Sequence, residues 1–279
     1  MPKILITGAD GMLGKDLSAV LEENGFEVIK TDKEDMDILD AGLIKKVFSS
    51  ENPDFTVHCA AYTNVDKAED EPDLAMKINA AGTENLAKCC AEYDIPIIYI
   101  STDYVFDGKK NTPYLPTDEP NPLNVYGKTK LAGEKAVLKY CKKYYIARTS
   151  WLYGIYGKNF VETMKKLAPK GELKVVDDQK GCPTWTKELC NGIIKLLQNK
   201  PFGIYHICGS GSTTWYGFAK EIFKQCNLDV NLLPCSSEEY HAKAIRPKYS
   251  VMDNNGFCRD WKDALSDYLK IKKDTEVLL

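Results

Sequence analysis

Strand and helix signals alternate with short links along the first half of this chain. That alternation predicts an α/β fold built on a doubly wound parallel sheet. A glycine-rich turn, Thr7-Gly-Ala-Asp-Gly-Met-Leu-Gly14, stands between the first strand signal and the first helix signal. The alternation weakens in the second half, which predicts a smaller mixed α/β lobe. The expected division is 1–150 for the sheet domain and 151–279 mainly for the lobe, with segments near 183–208 returning to the sheet.

Lys3 to Thr7 is a short apolar strand. Leu13 to Asn24 follows as a helix, with Leu13, Leu17, Val20 and Leu21 on one face, and Gly25 stops it. Phe26 to Thr31 is the second strand and ends at Asp32, completing a βαβ unit. Its glycines, Gly8, Gly11 and Gly14, are spaced G-x-x-G-x-x-G. One makes the turn, one lets backbone approach a pyrophosphate, and one lets helix pack on strand, so the unit reads as Rossmann-like. A phosphate there meets free N–H groups at the helix start. Asp32, eighteen residues beyond Gly14, reads as a ligand for ribose hydroxyls or as a loop acid.

Asp37-Ile-Leu-Asp40 leads into a helix over Leu43 to Ser50, and Asp54 to Ala61 reads as the third strand. A helix around Leu74 to Asp94 carries Asn79, and Ile95 to Ile100 is the fourth strand, ending at Ser101-Thr-Asp103. Asp107 to Pro122 is rich in Pro, Gly, Asn and Asp and reads as a loop. Tyr144 to Thr149 is a further strand, ending at Ser150-Trp151. Helices are expected at 159–167, 186–197, 215–226 and 261–269, and strands at 173–176 and 204–208. Ligands of such sheets bind outside the carboxyl ends of the strands. Gly8, Asp32, Ala61 and Thr102 all fall there.

Composition excludes several classes. The 279 residues suffice for one large domain or two smaller ones with a real core. A net charge of −3 leaves no basic footprint for nucleic acid. The apolar runs are far short of a membrane span, and the N-terminus enters a strand with no signal-peptide pattern. Ten cysteines are scattered without a C-x-x-C pair and read as reduced core residues of a cytoplasmic protein. Three histidines lack zinc-ligand spacing, and His58, inside an apolar strand, reads as a satisfied core residue.

The chemistry centres on Asn124-Val-Tyr-Gly-Lys-Thr-Lys130. Tyr126 and Lys130 are four apart, so on a helix they share one face. A tyrosine with a pKa of about 10 is a poor acid at neutral pH. A cation one turn away is expected to lower it. Thr102 would hold the reacting oxygen beside Tyr126. The trio suits reversible hydride transfer to a ketone, with NADPH or NADH giving hydride and Tyr126 the proton. Asp32 repels a 2′-phosphate and Lys33 attracts one, so the choice between the two cofactors stays open. Trp151 is read as core or as a surface for a sugar or base. Arg246 is read as a ligand for a substrate diphosphate or as a surface charge.

Several stretches carry a resemblance. They are Gly8 to Gly14, Ala60-Ala-Tyr-Thr-Asn-Val-Asp-Lys-Ala-Glu69, Ser101-Thr-Asp-Tyr-Val-Phe106, Pro122 to Glu134, Arg148-Thr-Ser-Trp151, Asp178 to Thr184 and Thr214-Trp-Tyr216. On these the chain resembles the extended short-chain dehydrogenase/reductase superfamily and, within it, the dTDP-4-dehydrorhamnose reductase family, almost end to end. The resemblance implies reduction of a dTDP-linked 4-keto-6-deoxy sugar by Thr102, Tyr126 and Lys130. It implies Gly11, Met12, Leu13, Asp37, Ile38, Ala61, Tyr62 and Thr63 on the cofactor, and Thr102, Asp103 and Trp151 on the substrate. Some members form a magnesium-dependent dimer through glutamates. Here Asp16 stands at one of those positions, so no metal is predicted, and the chain is expected to be a monomer or homodimer.

Two other readings fit parts of the pattern. A dehydratase of the same superfamily is expected to place a second acid after the strand-end Thr-Asp, where this chain has Tyr104. An epimerase would show no net consumption of reduced cofactor. The regulatory subunit of methionine adenosyltransferase is similar and keeps the Tyr/Lys pair; it would bind nucleotide and a protein partner without turnover.

Overall fold

The computed structural model describes residues 1–198 and 200–277. The chain opens with β1 (Lys3–Thr7), α1 (Met12–Glu23), β2 (Glu27–Thr31), α2 (Ala41–Glu51) and β3 (Phe55–His58). Two short helices follow, α3 (Val65–Ala68) and α4 (Pro72–Met76), then α5 (Thr83–Glu92) and β4 (Ile97–Thr102). The first half closes with α6 (Val125–Tyr140) and β5 (Tyr144–Thr149). The second half begins with β6 (Leu152–Tyr153), α7 (Phe160–Leu167), β7 (Glu172–Val176), β8 (Lys180–Gly181) and β9 (Thr184–Trp185). Next come α8 (Thr186–Leu197), β10 (Gly203–His206), β11 (Thr213–Thr214) and α9 (Trp215–Cys226). The last elements are β12 (Asn231–Cys235), α10 (Ser237–Tyr240) and α11 (Trp261–Val277).

Six strands form one parallel sheet in the order β10-β5-β4-β3-β1-β2. Both faces are covered, so the strands read as continuous apolar runs rather than as alternation. The pleat divides them. Ile4, Ile6 and Ile98 pack with Leu17 and Leu21 of α1 and with Leu189 and Ile193 of α8. Leu5, Ile97 and Tyr99 face the other way, against Phe48, Leu86 and Val137. α8 and β10 come from the second half of the chain; α8 packs on this face and β10 pairs with β5. A separate core of Tyr153, Trp185, Phe218, Trp261 and Tyr268 holds the smaller lobe together.

Several elements differ from expectation, among them the last helix, expected over 261–269, which runs to Val277. The third strand ends at His58, not Ala61, because Ala60 leaves the sheet to lie against Gly8. The helix expected over 74–94 contains a π-helical turn at Lys77–Gly82. That wider turn aims Asn79 inward, where its amide bonds the Tyr62 backbone from both ends (2.7 and 3.0 Å) and donates to Thr129 (2.9 Å). β12, which is not among the expected strands, contains Pro234. Among the described residues it pairs only with β7, at an edge where proline is tolerated. No helix among the described residues is long and apolar enough to cross a membrane.

Candidate active site

A cleft of about 1140 Å³ runs along the carboxyl ends of the sheet strands, from the glycine turn to the smaller lobe. The register makes this edge: Thr7 lies opposite Thr31 and His58, and Thr102 opposite Thr149. His58 is held between the Thr7 hydroxyl (2.7 Å) and the Thr83 hydroxyl (3.0 Å), and burial lowers its pKa to about 3. It is a neutral core residue.

The three glycines of the turn serve different ends. Gly8 has φ +66°, and a Cβ there would lie 2.7 Å from the Ala60 nitrogen. A Cβ at Gly14 would overlap the Gly8 carbonyl. Both are needed by the backbone alone. At Gly11 the nearest atom would be 3.2 Å away, and the position faces the cleft. Gly11 is also the N-cap of α1, with no side chain capping the helix. Uncapped N–H groups and a clear approach fit an anion such as a pyrophosphate. Met12, Leu13, Asp37 and Ile38 line the same end. Asp32 is also there, oriented by the amides of Asp10 (3.0 Å) and Lys33 (2.8 Å). Ala61 and Thr63 form the facing wall. Tyr62 does not. Its hydroxyl turns away to donate to Glu71 (2.7 Å), and its backbone N–H and C=O bond the Asn79 amide.

At the other end, α6 is pressed onto the turn after β4. Asn124 caps the helix by accepting from the Gly127 amide (2.7 Å) and donates to the Ile245 carbonyl (2.9 Å). A Cβ at Gly127 would overlap the Tyr104 carbonyl. This contact sets Tyr126 into the same cleft as Thr102, with the Tyr104 ring edge-on to Tyr126 at 6.1 Å. Thr102, Tyr126 and Lys130 all line the cleft.

The expected lowering of the Tyr126 pKa is not what this fold produces. Burial, and then the Asp103 carboxyl, push the phenol above its ordinary range, and the nearby Thr102 hydroxyl offsets part of this. Lys130 does not reverse the effect because its ammonium lies over the Tyr99 ring, and burial lowers its own pKa to about 7.

Asp103 is buried and accepts from the hydroxyls of Ser250 (2.6 Å) and Thr102 (3.1 Å). Burial raises its pKa to about 7, despite those bonds. The folded chain therefore holds a proton that the unfolded chain releases between about pH 4 and 7. Stability from Asp103 is present below that window and lost as pH rises through it. Wild type minus Asp103→Asn should accordingly change with pH across the window, by up to about 4 kcal/mol at 1.36 kcal/mol per pH unit. Urea melts of both proteins at several pH values check this; parallel curves would contradict it.

Trp151 has one side on the smaller lobe and one on the cleft. It packs on the lobe core and also lines the cleft. Its indole stacks on Trp215, with centroids 3.6 Å apart and planes within 6°. Its φ of +46° is unusual for a bulky residue and marks a held conformation. Arg246, by contrast, is not brought to the cleft lining. Its guanidinium forks onto Asp66 (3.0 and 2.7 Å), tying the 240s segment to α3. Asp16 accepts from the Thr186 hydroxyl, which joins α1 to α8. Sequence reasoning missed Trp215, Ser250 and the placing role of Asn79. Trp215 had a signal, since Thr214-Trp-Tyr216 is one of the stretches that carry the resemblance; Ser250 had none.

Residues 2–273 match the family model described as the RmlD substrate binding domain. Spore coat polysaccharide biosynthesis protein SpsK of Bacillus subtilis is 43% identical, over 97% of this chain and 98% of that one. A dTDP-4-dehydrorhamnose reductase of Streptomyces griseus is 40% identical, over 95% and 92%. Among solved structures, a dTDP-4-dehydrorhamnose reductase of Bacillus anthracis in complex with NADP superposes with a TM-score of 0.94. It is 42% identical, over 97% of this chain and 100% of that one. A UDP-glucose 4-epimerase of Thermotoga maritima, 20% identical with a TM-score of 0.83, shares the fold.

Proposed function

The chain belongs to the RmlD substrate-binding family, and from that premise we propose that it reduces dTDP-4-dehydro-L-rhamnose to dTDP-L-rhamnose. It is an NAD(P)-dependent oxidoreductase, and the proposal fixes the ketone it acts on and the residues that do the work. The observation that carries it is one cleft lined by an uncapped glycine turn at one end and by Thr102, Tyr126 and Lys130 at the other.

A bound reduced nicotinamide would supply the hydride to the C4 carbon. The N-terminus of α1, with Gly11, Met12 and Leu13, would hold the pyrophosphate, and Asp32 a ribose. The Thr102 hydroxyl would turn from Asp103 to donate to the ketone oxygen and keep it against Tyr126. Tyr126 gives its proton to that oxygen as negative charge develops on it. Its raised pKa keeps the phenol protonated at neutral pH, which suits the reducing direction. Lys130, when charged, stabilises the phenolate left behind. Trp151 and Trp215 offer the sugar nucleotide a flat aromatic wall at the smaller lobe. In this reading residues 1–150, with the returning segment near 183–208, serve the cofactor, and 151–279 mainly serve the substrate.

The test is loss of nicotinamide absorbance on mixing the protein with dTDP-4-dehydro-L-rhamnose and NADPH or NADH. The expected result is stoichiometric cofactor consumption that UDP-linked 4-keto sugars do not match. Interconversion of sugars without net cofactor loss would point to an epimerase. Binding without either change would point to a regulatory subunit.

A further inference from the structure

Lys130 is 3% exposed, yet its natural partner on the helix is committed elsewhere. Glu134, one turn further along α6, forks onto Arg148 (2.9 and 2.7 Å) and accepts from the Ser101 hydroxyl (2.6 Å). The Lys130 ammonium lies instead over the face of Tyr99, 4.2 Å from the ring centroid. Tyr99 belongs to β4 and is fully buried. Its hydroxyl donates to the Lys130 carbonyl at 3.3 Å. The sequence makes room for that hydroxyl: a Cβ at Gly133 would overlap it. One side chain thus touches Lys130 at both ends.

We propose that Tyr99 is a positioning residue for Lys130, its ring face holding the ammonium at the floor of the cleft. The proposal rests on the reading that Lys130 serves the reaction. The physical case is the desolvated setting. An ammonium taken from water needs a counter-charge or a polarised face, and a cation over an aromatic face is worth most when both are dry. The groups that face the ammonium are Glu134 on its own helix, His58 and Cys59 at the end of β3, and Tyr99 on β4. His58 stays neutral, with its pKa lowered to about 3, and Cys59 stays a thiol, with its pKa pushed up to about 12. The ring is then the nearest support for the charge apart from Glu134, which Arg148 already neutralises.

The experiment compares Tyr99→Phe with pentafluorophenylalanine at position 99 in the full chain. The two have closely similar shapes, but fluorination removes the negative face of the ring. Tyr99→Phe should stay within about threefold of wild type in kcat, because the face remains. The fluorinated protein should lose about tenfold or more in kcat. The alkaline limb of its pH profile for reduction should move to lower pH, because less now favours the charged lysine. In a Lys130→Met background the same fluorination should cost less than about twofold, since coupled residues do not add. Equal profiles for the Phe and fluorinated proteins, beside a crippled Lys130→Met protein, would overturn the proposal alone. A Lys130→Met protein at wild-type rate would remove the reading of Lys130 and the proposal with it.

Discussion

Tyr126→Phe should slow single-turnover reduction of the ketone by roughly 10²–10⁴-fold, the usual loss for a positioned general acid. NADPH affinity should change by no more than about threefold, because one hydroxyl is removed and the ring remains; its edge-to-face contact with Tyr104 survives. The raised pKa of Tyr126 sets the form of the pH dependence. The phenol is already protonated at neutral pH, so alkaline loss of reduction in the free enzyme starts with Lys130, which titrates at about 7, rather than with the tyrosine. Anionic cofactor bound nearby favours the charged lysine, so that limb should move up when NADPH is saturating. Stopped-flow rates at several pH values, with and without prior saturation, measure both effects. A Tyr126→Phe rate within a few fold of wild type would remove Tyr126 as the proton donor.

The sheet was legible because its physics is local. Lys3 to Thr7 and Ile97 to Ile100 are apolar runs that a sheet covered on both faces requires, and the helices between them carry one apolar face each. The glycine turn was legible for the same reason, since Gly8 and Gly14 answer to backbone geometry. Tyr126, Lys130 and Thr102 were legible as a spacing on a helix and a strand end. What stayed hidden depends on partners far apart in the chain. Arg246 reads as a free cation until the fold brings Asp66 to it. Ser250 is an ordinary hydroxyl until it meets Asp103 across 147 residues. The sign of the Tyr126 shift was hidden too, because four-residue spacing says that Lys130 shares its face, not that the ammonium bends onto Tyr99 instead.

The largest effect on stability should come from Arg148. It is the largest fully buried side chain, on β5, and its guanidinium forks onto the equally buried Glu134 of α6. The guanidinium also lies 5.1 Å from the Phe106 ring centroid and 3.4 Å from the Pro116 carbonyl. Removing one partner of such a pair leaves a charge without water or counter-ion. Arg148→Met should therefore destabilise the fold by about 3–5 kcal/mol. The pair itself is not expected to supply that much. Desolvating two charges offsets most of their attraction, so the double variant Arg148→Met, Glu134→Leu should recover much of the loss and could fall within about 1–2 kcal/mol of wild type. Urea unfolding of the three proteins at neutral pH checks this directly. The recovered double variant is also informative about the site. Glu134 accepts from Ser101, the residue before Thr102, and lies one turn after Lys130. If the pair mainly fixes where β4 and α6 meet, the double variant should regain stability but not the full rate of hydride transfer. A single variant that costs less than about 1 kcal/mol would show that water or a neighbouring group already shares the Glu134 charge.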